Sequence, residues 1–113
     1  MSTSLYGYGP HSITTNDDYD LKAVGAETRP QLLTIGLEYG TYDGNVILKT
    51  RRQGSSDTFI TQAYAKPDAT VATAALTANT NVQLDVTGKD VRLTTAGRTT
   101  GTLTVGLHLS DEL

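Results

Sequence analysis

The chain has 113 residues, no cysteine and a net charge of −3 of mixed sign. Its length fits one domain, and the missing cysteines exclude disulfides, thiolate chemistry and Cys-type zinc sites while favouring assembly in a reducing cytoplasm. Residues 31–113 carry eight acids and seven bases, without the clustered Lys and Arg that phosphate neutralisation needs, which argues against nucleic acid as a main partner.

Residues 1–30 stand apart from the rest. Met1 to Pro10 has neither a basic start nor an apolar core, so no signal peptide is expected. No apolar run in the chain approaches a membrane-spanning length, and no membrane partner is expected. Tyr6-Gly7-Tyr8-Gly9-Pro10 combines flexible glycines, two rings and a helix-breaking proline, and Asn16-Asp17-Asp18-Tyr19-Asp20 is acidic and turn-prone. Such a segment buries little apolar area alone, so it is expected as an extended N-terminal arm, disordered or held by a neighbour. Fully stretched it would reach about 100 Å, at about 3.3 Å per residue. Tyr6, Tyr8 and Tyr19 are its candidate anchors, because rings bring large contact area with little rotamer entropy.

From Leu33 onward apolar residues recur at every second position: Leu33-Ile35-Leu37-Tyr39, Val46-Leu48, Val82-Leu84-Val86, Val91-Leu93 and Leu103-Val105-Leu107-Leu109. A period of two places them on one face of a strand. Twenty threonines suit half-wet pleated surfaces. Strands are predicted near 32–39, 45–52, 57–64, 70–76, 81–86, 91–95 and 101–109. Turn signals separate them, among them Asp43-Gly44, Gly54-Ser55-Ser56, Lys66-Pro67-Asp68 and Gly88-Lys89-Asp90. Ala-rich residues 70–78 are the one stretch that competes as a helix; Pro67, Val71, Thr73 and Thr77 favour strand or loop. The expected fold is all-β: an antiparallel β-sandwich, jelly-roll or Ig-like, of about seven short strands over residues 31–113.

Nothing of comparable strength points to chemistry. Alternation turns His108 away from the apolar set, and neither it nor His11 has an evident triad partner. Asn16, Asp18, Asp20 and Glu27 match four positions of a calcium-loop template, but Leu21 stands where that template needs Gly. Gly7-Tyr8-Gly9 precedes no strand-to-helix transition, so it is no phosphate cradle. Lys49, Arg51 and Arg52 form a basic knot that reads as a solvated strand edge. Tyr39, Tyr42 and Tyr64 are candidates for a sugar-binding aromatic row, with core or turn packing the competing role. No catalytic, metal or cofactor-binding residue is assigned.

The strand half has a recognisable order. An early apolar strand and an Asp-Gly turn lead to Asn45-Val46-Ile47-Leu48-Lys49, a Gly54-Ser55-Ser56 turn and Thr58-Phe59. The run from Ala75 to Val86 then leads into Asp90-Val91-Arg92-Leu93, and the chain closes on Thr99-Thr100-Gly101-Thr102-Leu103-Thr104-Val105. Over residues 32–109 this resembles small virion proteins of tailed bacteriophages that carry β-sandwich modules. It departs from that pattern at Phe59, where the third strand usually has Trp. The resemblance implies a non-enzymatic structural protein: a capsid decoration or cement protein on the outer surface of the major capsid protein shell, made in the host cytoplasm. It also implies sibling copies in a homo-oligomer, a trimer being favoured. A neck or tail adaptor, a fibre base, and a carbohydrate-binding module are the alternatives.

Overall fold

The computed structural model describes residues 2–21 and 32–110. In chain order its strands are β1 (Ser2–Leu5), β2 (His11–Ile13), β3 (Asp18–Leu21), β4 (Leu32–Glu38), β5 (Asn45–Arg52), β6 (Ile60–Thr61), β7 (Tyr64–Ala65), β8 (Val71–Ala72), β9 (Thr80–Asp85), β10 (Lys89–Ala96) and β11 (Leu103–Ser110). Two sheets result, ordered β1-β3-β10-β5-β6 and β2-β11-β4-β9-β7-β8. Among the described residues every strand pairing is antiparallel except β1 with β3. The fold is an all-β sandwich.

Alternation sets the inner faces. Tyr19, Leu93 and Leu48 stand side by side across β3, β10 and β5. Leu107, Ile35 and Val82 do the same across β11, β4 and β9. These rows face each other as one buried cluster, joined by Leu33, Leu37, Leu84, Val91, Leu103 and Val105. Fully burying each such side chain contributes about 1.5–3 kcal/mol, and the layer supplies the main force for folding.

The predicted strands at 32–39, 45–52, 81–86, 91–95 and 101–109 are β4, β5, β9, β10 and β11. The predicted strand at 57–64 divides into β6 and β7, because the chain changes sheets there: β6 pairs with β5, and β7 pairs with β9. Strands that turn a corner between sheets break in this way. Residues 70–76 form no helix; β8 is followed by an isolated bridge in which Leu76 and Val46 exchange N–H···O bonds of 2.7 and 2.9 Å. Their alanines offer a sheet little side chain to bury.

The expected extended arm over 1–30 is corrected across residues 2–21. This segment supplies three strands to the sandwich, on both sheets. β3 pairs with β10 and β2 with β11, and Ile13, Tyr19 and Leu21 are 1, 6 and 2% exposed. Over these residues the division into an arm and a separate domain therefore has no structural counterpart. The physical reason is context: Asp18-Tyr19-Asp20-Leu21 alternates with period two, and its apolar side chains are buried only because β10 presents a matching edge. The remainder of the predicted arm, Met1 and residues 22–30, lies outside the described residues.

Candidate functional site

Of the three predicted anchors, Tyr6 and Tyr8 are 73% and 48% exposed. Tyr19 is corrected: its ring faces the core and its hydroxyl hydrogen-bonds that of Thr15, so it cannot meet a partner. The candidate sugar-binding row is corrected too. Tyr39, Tyr42 and Tyr64 are 5, 4 and 5% exposed. Tyr39 and Tyr64 donate to the carbonyls of Leu76 and Ala74 at 2.5 and 2.7 Å, pinning the segment after β8. Burial, with Tyr42 nearby, pushes the Tyr39 phenol up to about 12.

The loop between β1 and β2 crosses from one sheet to the other along the side of the sandwich. It is held at several points. Leu107 N–H donates to the Tyr8 carbonyl at 2.9 Å, extending the β2–β11 ladder. The His11 ring Nε2 lies 3.0 Å from the Gly7 carbonyl. Gly9 has φ +89°, and a Cβ there would meet His11 N at 2.8 Å and Val105 O at 2.9 Å, so only Gly fits. The Gly9–Pro10 peptide bond is cis. The Leu107–Tyr8 and His11–Gly7 contacts place Tyr8 beside His108, with ring centroids 5.8 Å apart. His108 faces outward, as the alternation predicts.

This loop forms one wall of a trough on the outer face of the six-stranded sheet. Two adjoining hollows of about 460 and 430 Å³ share Pro10, Gly36, Asn81 and Gly106. A third, of about 310 Å³, shares Thr34 and Asn81 with the second and ends at Lys66 and Pro67. The register explains the floor. Gly106, Gly36 and Asn81 are direct neighbours across β11, β4 and β9, and His108, Thr34 and Gln83 form the next row. Asn81 lies down over Gly36, where a Cβ would come within 2.8 Å of its Oδ1. A Cβ on Gly106 would meet nothing within 4 Å. Gln83 donates to the Thr34 hydroxyl at 3.3 Å. Glu38 at one end and Lys66 at the other are the charged side chains along the trough among the described residues.

The outer face of the five-stranded sheet is ionic. Arg92 pairs with Asp20 at 2.8 Å and with Asp18 at 3.7 Å, and Arg51 pairs with Asp90 at 3.2 Å. Both guanidinium groups lie over the Phe59 ring, at 4.0 and 4.4 Å from its centroid, a geometry favoured by the ring quadrupole. The basic knot is thus partly neutralised, with Arg52 reaching Asp57 at 3.3 Å. The calcium-template residues are committed elsewhere. Asp18 and Asp20 face Arg92 from a strand, Asn16 bonds the Arg98 backbone, and Leu21 is core; Glu27 lies outside the described residues. Among the described residues no group of three or more His, Asp or Glu side chains is placed to hold a metal.

The trough escaped sequence reasoning because its parts come from five separate segments of the chain. Its one local signal was a pair of glycines, Gly36 and Gly106, inside otherwise strongly alternating strands. No family model, no curated protein and no solved structure matches the chain.

Proposed function

We propose that this chain is a non-enzymatic structural protein of a tailed-phage virion, a capsid decoration protein that binds the outside of the major capsid protein shell and stabilises it. The resemblance of residues 32–109 to phage β-sandwich modules motivates the reading. One observation carries it: among the described residues, the three most exposed large apolar side chains, Tyr6, Ile60 and Val71, sit at the two lateral edges of the sandwich. Tyr6 follows β1 on one side; Ile60 on β6 and Val71 on β8 occupy the other, at 66% and 71% exposure. β1, β6, β2 and β8 are the end strands of their sheets, and end strands with apolar side chains are ready-made association surfaces.

Two unlike edges on one molecule suit head-to-tail contact between sibling copies, which closes into a ring when the rotation allows. A trimer is the proposed ring. Its repeated copies would each hold the shell through modest contacts, and repetition converts weak attachment into stable coverage.

The test is imaging of an intact particle with the copies counted, alongside light scattering of the purified protein. Hundreds of copies on the shell support the reading, whereas a few copies at the neck favour the adaptor alternative. The double variant Ile60→Asp, Val71→Asp should remain folded and become monomeric. A wild-type protein that stays monomeric at high concentration would remove the ring.

A further inference from the structure

We propose that the trough on the outer face of the six-stranded sheet is a binding groove for a neutral oligosaccharide. The inference does not depend on where the protein resides. It begins with Gly106, which sits inside the eight-residue strand β11 between β2 and β4. Glycine weakens a strand interior. Packing accounts for Gly36, whose missing Cβ makes room for Asn81. Nothing among the described residues accounts for Gly106: its φ is not positive, and a side chain there would meet none of them within 4 Å. That open space is the middle of the trough. A glycine unforced by its own fold, at the floor of a concavity, leaves room for something outside the chain to approach the backbone.

The lining states what that is. Tyr8 offers a half-exposed ring, held in place by the Leu107–Tyr8 backbone bond and by His108. Such a ring can stack against the C–H face of a sugar. The Asn81 side chain makes no hydrogen bond to another described residue, so its amide is free to donate and accept. Thr34 and Thr104 add hydroxyls at half-buried positions. Planar amides, hydroxyls and one aromatic plane match a ligand rich in vicinal hydroxyls.

Charge and geometry narrow the choice. The centre of the trough carries no Lys, Arg, Asp or Glu among its described lining residues, which disfavours an anionic chain and suits a neutral one. The trough crosses β11, β4 and β9, so at about 4.8 Å per strand it is an elongated site. The backbone groups of β4, in the middle of the floor, are engaged in ladders with both neighbours, β11 and β9. An extended peptide would therefore find no free edge on that strand, and recognition there falls to side chains.

The test uses the full chain on an array of neutral oligosaccharides, from disaccharides to hexasaccharides, with an extended-peptide library screened in parallel. Retention of at least one neutral glycan is expected, confirmed by titration in solution. Gly106→Val should weaken it at least about ten-fold while leaving the unfolding midpoint equal or higher, because a β-branched residue suits an open strand position. Tyr8→Ala should weaken it by a similar factor with unchanged circular dichroism. The proposal is overturned if no neutral glycan binds at millimolar concentration, if peptides bind and glycans do not, or if binding survives Gly106→Val.

Discussion

Arg92 on β10 donates through Nε to Asp20 on β3 at 2.8 Å, and this pair joins the N-terminal leader to the body of the sandwich. Both side chains are about four-fifths buried, at 21% and 19% exposure. The same guanidinium covers Phe59, so one residue ties the leader, β10 and the β5–β6 connection together. Asp20→Ala should destabilise the protein by about 1–2 kcal/mol in chemical denaturation, since it strips a charge-assisted bond from a largely buried arginine. Asp18, at 3.7 Å from Arg92, limits the loss. A change within a few tenths of a kcal/mol would show that solvent screens the pair.

The leader itself is structural. Deleting residues 2–21 removes Ile13, Tyr19 and Leu21 from the core and exposes the edges of β10 and β11. At about 1.5–3 kcal/mol per buried side chain, the loss approaches the whole stability of an ordinary domain, about 5–15 kcal/mol. The truncated chain is expected to aggregate or to lose its cooperative thermal transition in circular dichroism. A truncated chain that melts cooperatively near the wild-type midpoint would return the leader to the status of an arm.

Asp43 joins the β4–β5 loop to the β10–β11 loop. It accepts hydrogen bonds from the Thr99 hydroxyl, from Thr99 N–H at 2.8 Å and from Thr100 N–H at 3.1 Å. The Thr99 hydroxyl and these two amides hold its carboxyl down to about 2. The folded-state value is depressed below the ordinary value of about 3.9, so the tether contributes stability above that ordinary value and loses it as pH falls towards about 2. Asp43→Asn should flatten part of the pH dependence of the unfolding midpoint across that window. Part of the slope stays, because Asp68 and Asp85 are also held low, by hydrogen bonds from Thr70 and Thr87. An unchanged profile in the variant would show that the tether is broken in solution.

Tyr42 is 4% exposed, and its hydroxyl has no hydrogen-bond partner among the described residues. Thr95 is the polar neighbour that acts on it, but the Thr95 hydroxyl donates to the Thr15 carbonyl at 2.8 Å and accepts from Asp17 N–H at 3.0 Å. An unsatisfied buried hydroxyl costs about 1–3 kcal/mol. Tyr42→Phe keeps the ring against Tyr39, at 5.2 Å between centroids, and removes the orphan. It should leave stability unchanged or raise it by about 1 kcal/mol. A clear loss in thermal denaturation would reveal a water or a bond to Thr95 at that oxygen.

The long strands were legible in the sequence because each carries several apolar residues two apart. Leu33, Ile35 and Leu37 could point only one way, and so could Leu103, Val105 and Leu107. The leader was not legible because its strands are three or four residues long. With one or two apolar side chains each, they look like turns until β10 and β11 are beside them. Tyr39, Tyr42 and Tyr64 were ambiguous for a related reason: a tyrosine suits a surface or a core equally until a carbonyl such as that of Leu76 is found for its hydroxyl.

The amino-acid sequence alone determined that this is an all-β protein, and which face of each long strand is wet. Period-two alternation is a local property, and burial acts on it directly. Only the tertiary structure decided which sheet each strand joins, that Tyr19 is core, and that Gly36, Gly106, Asn81 and Tyr8 meet on one outer face. Those outcomes depend on pairing register between segments far apart in the chain, and register is set when the two sheets close over a shared core.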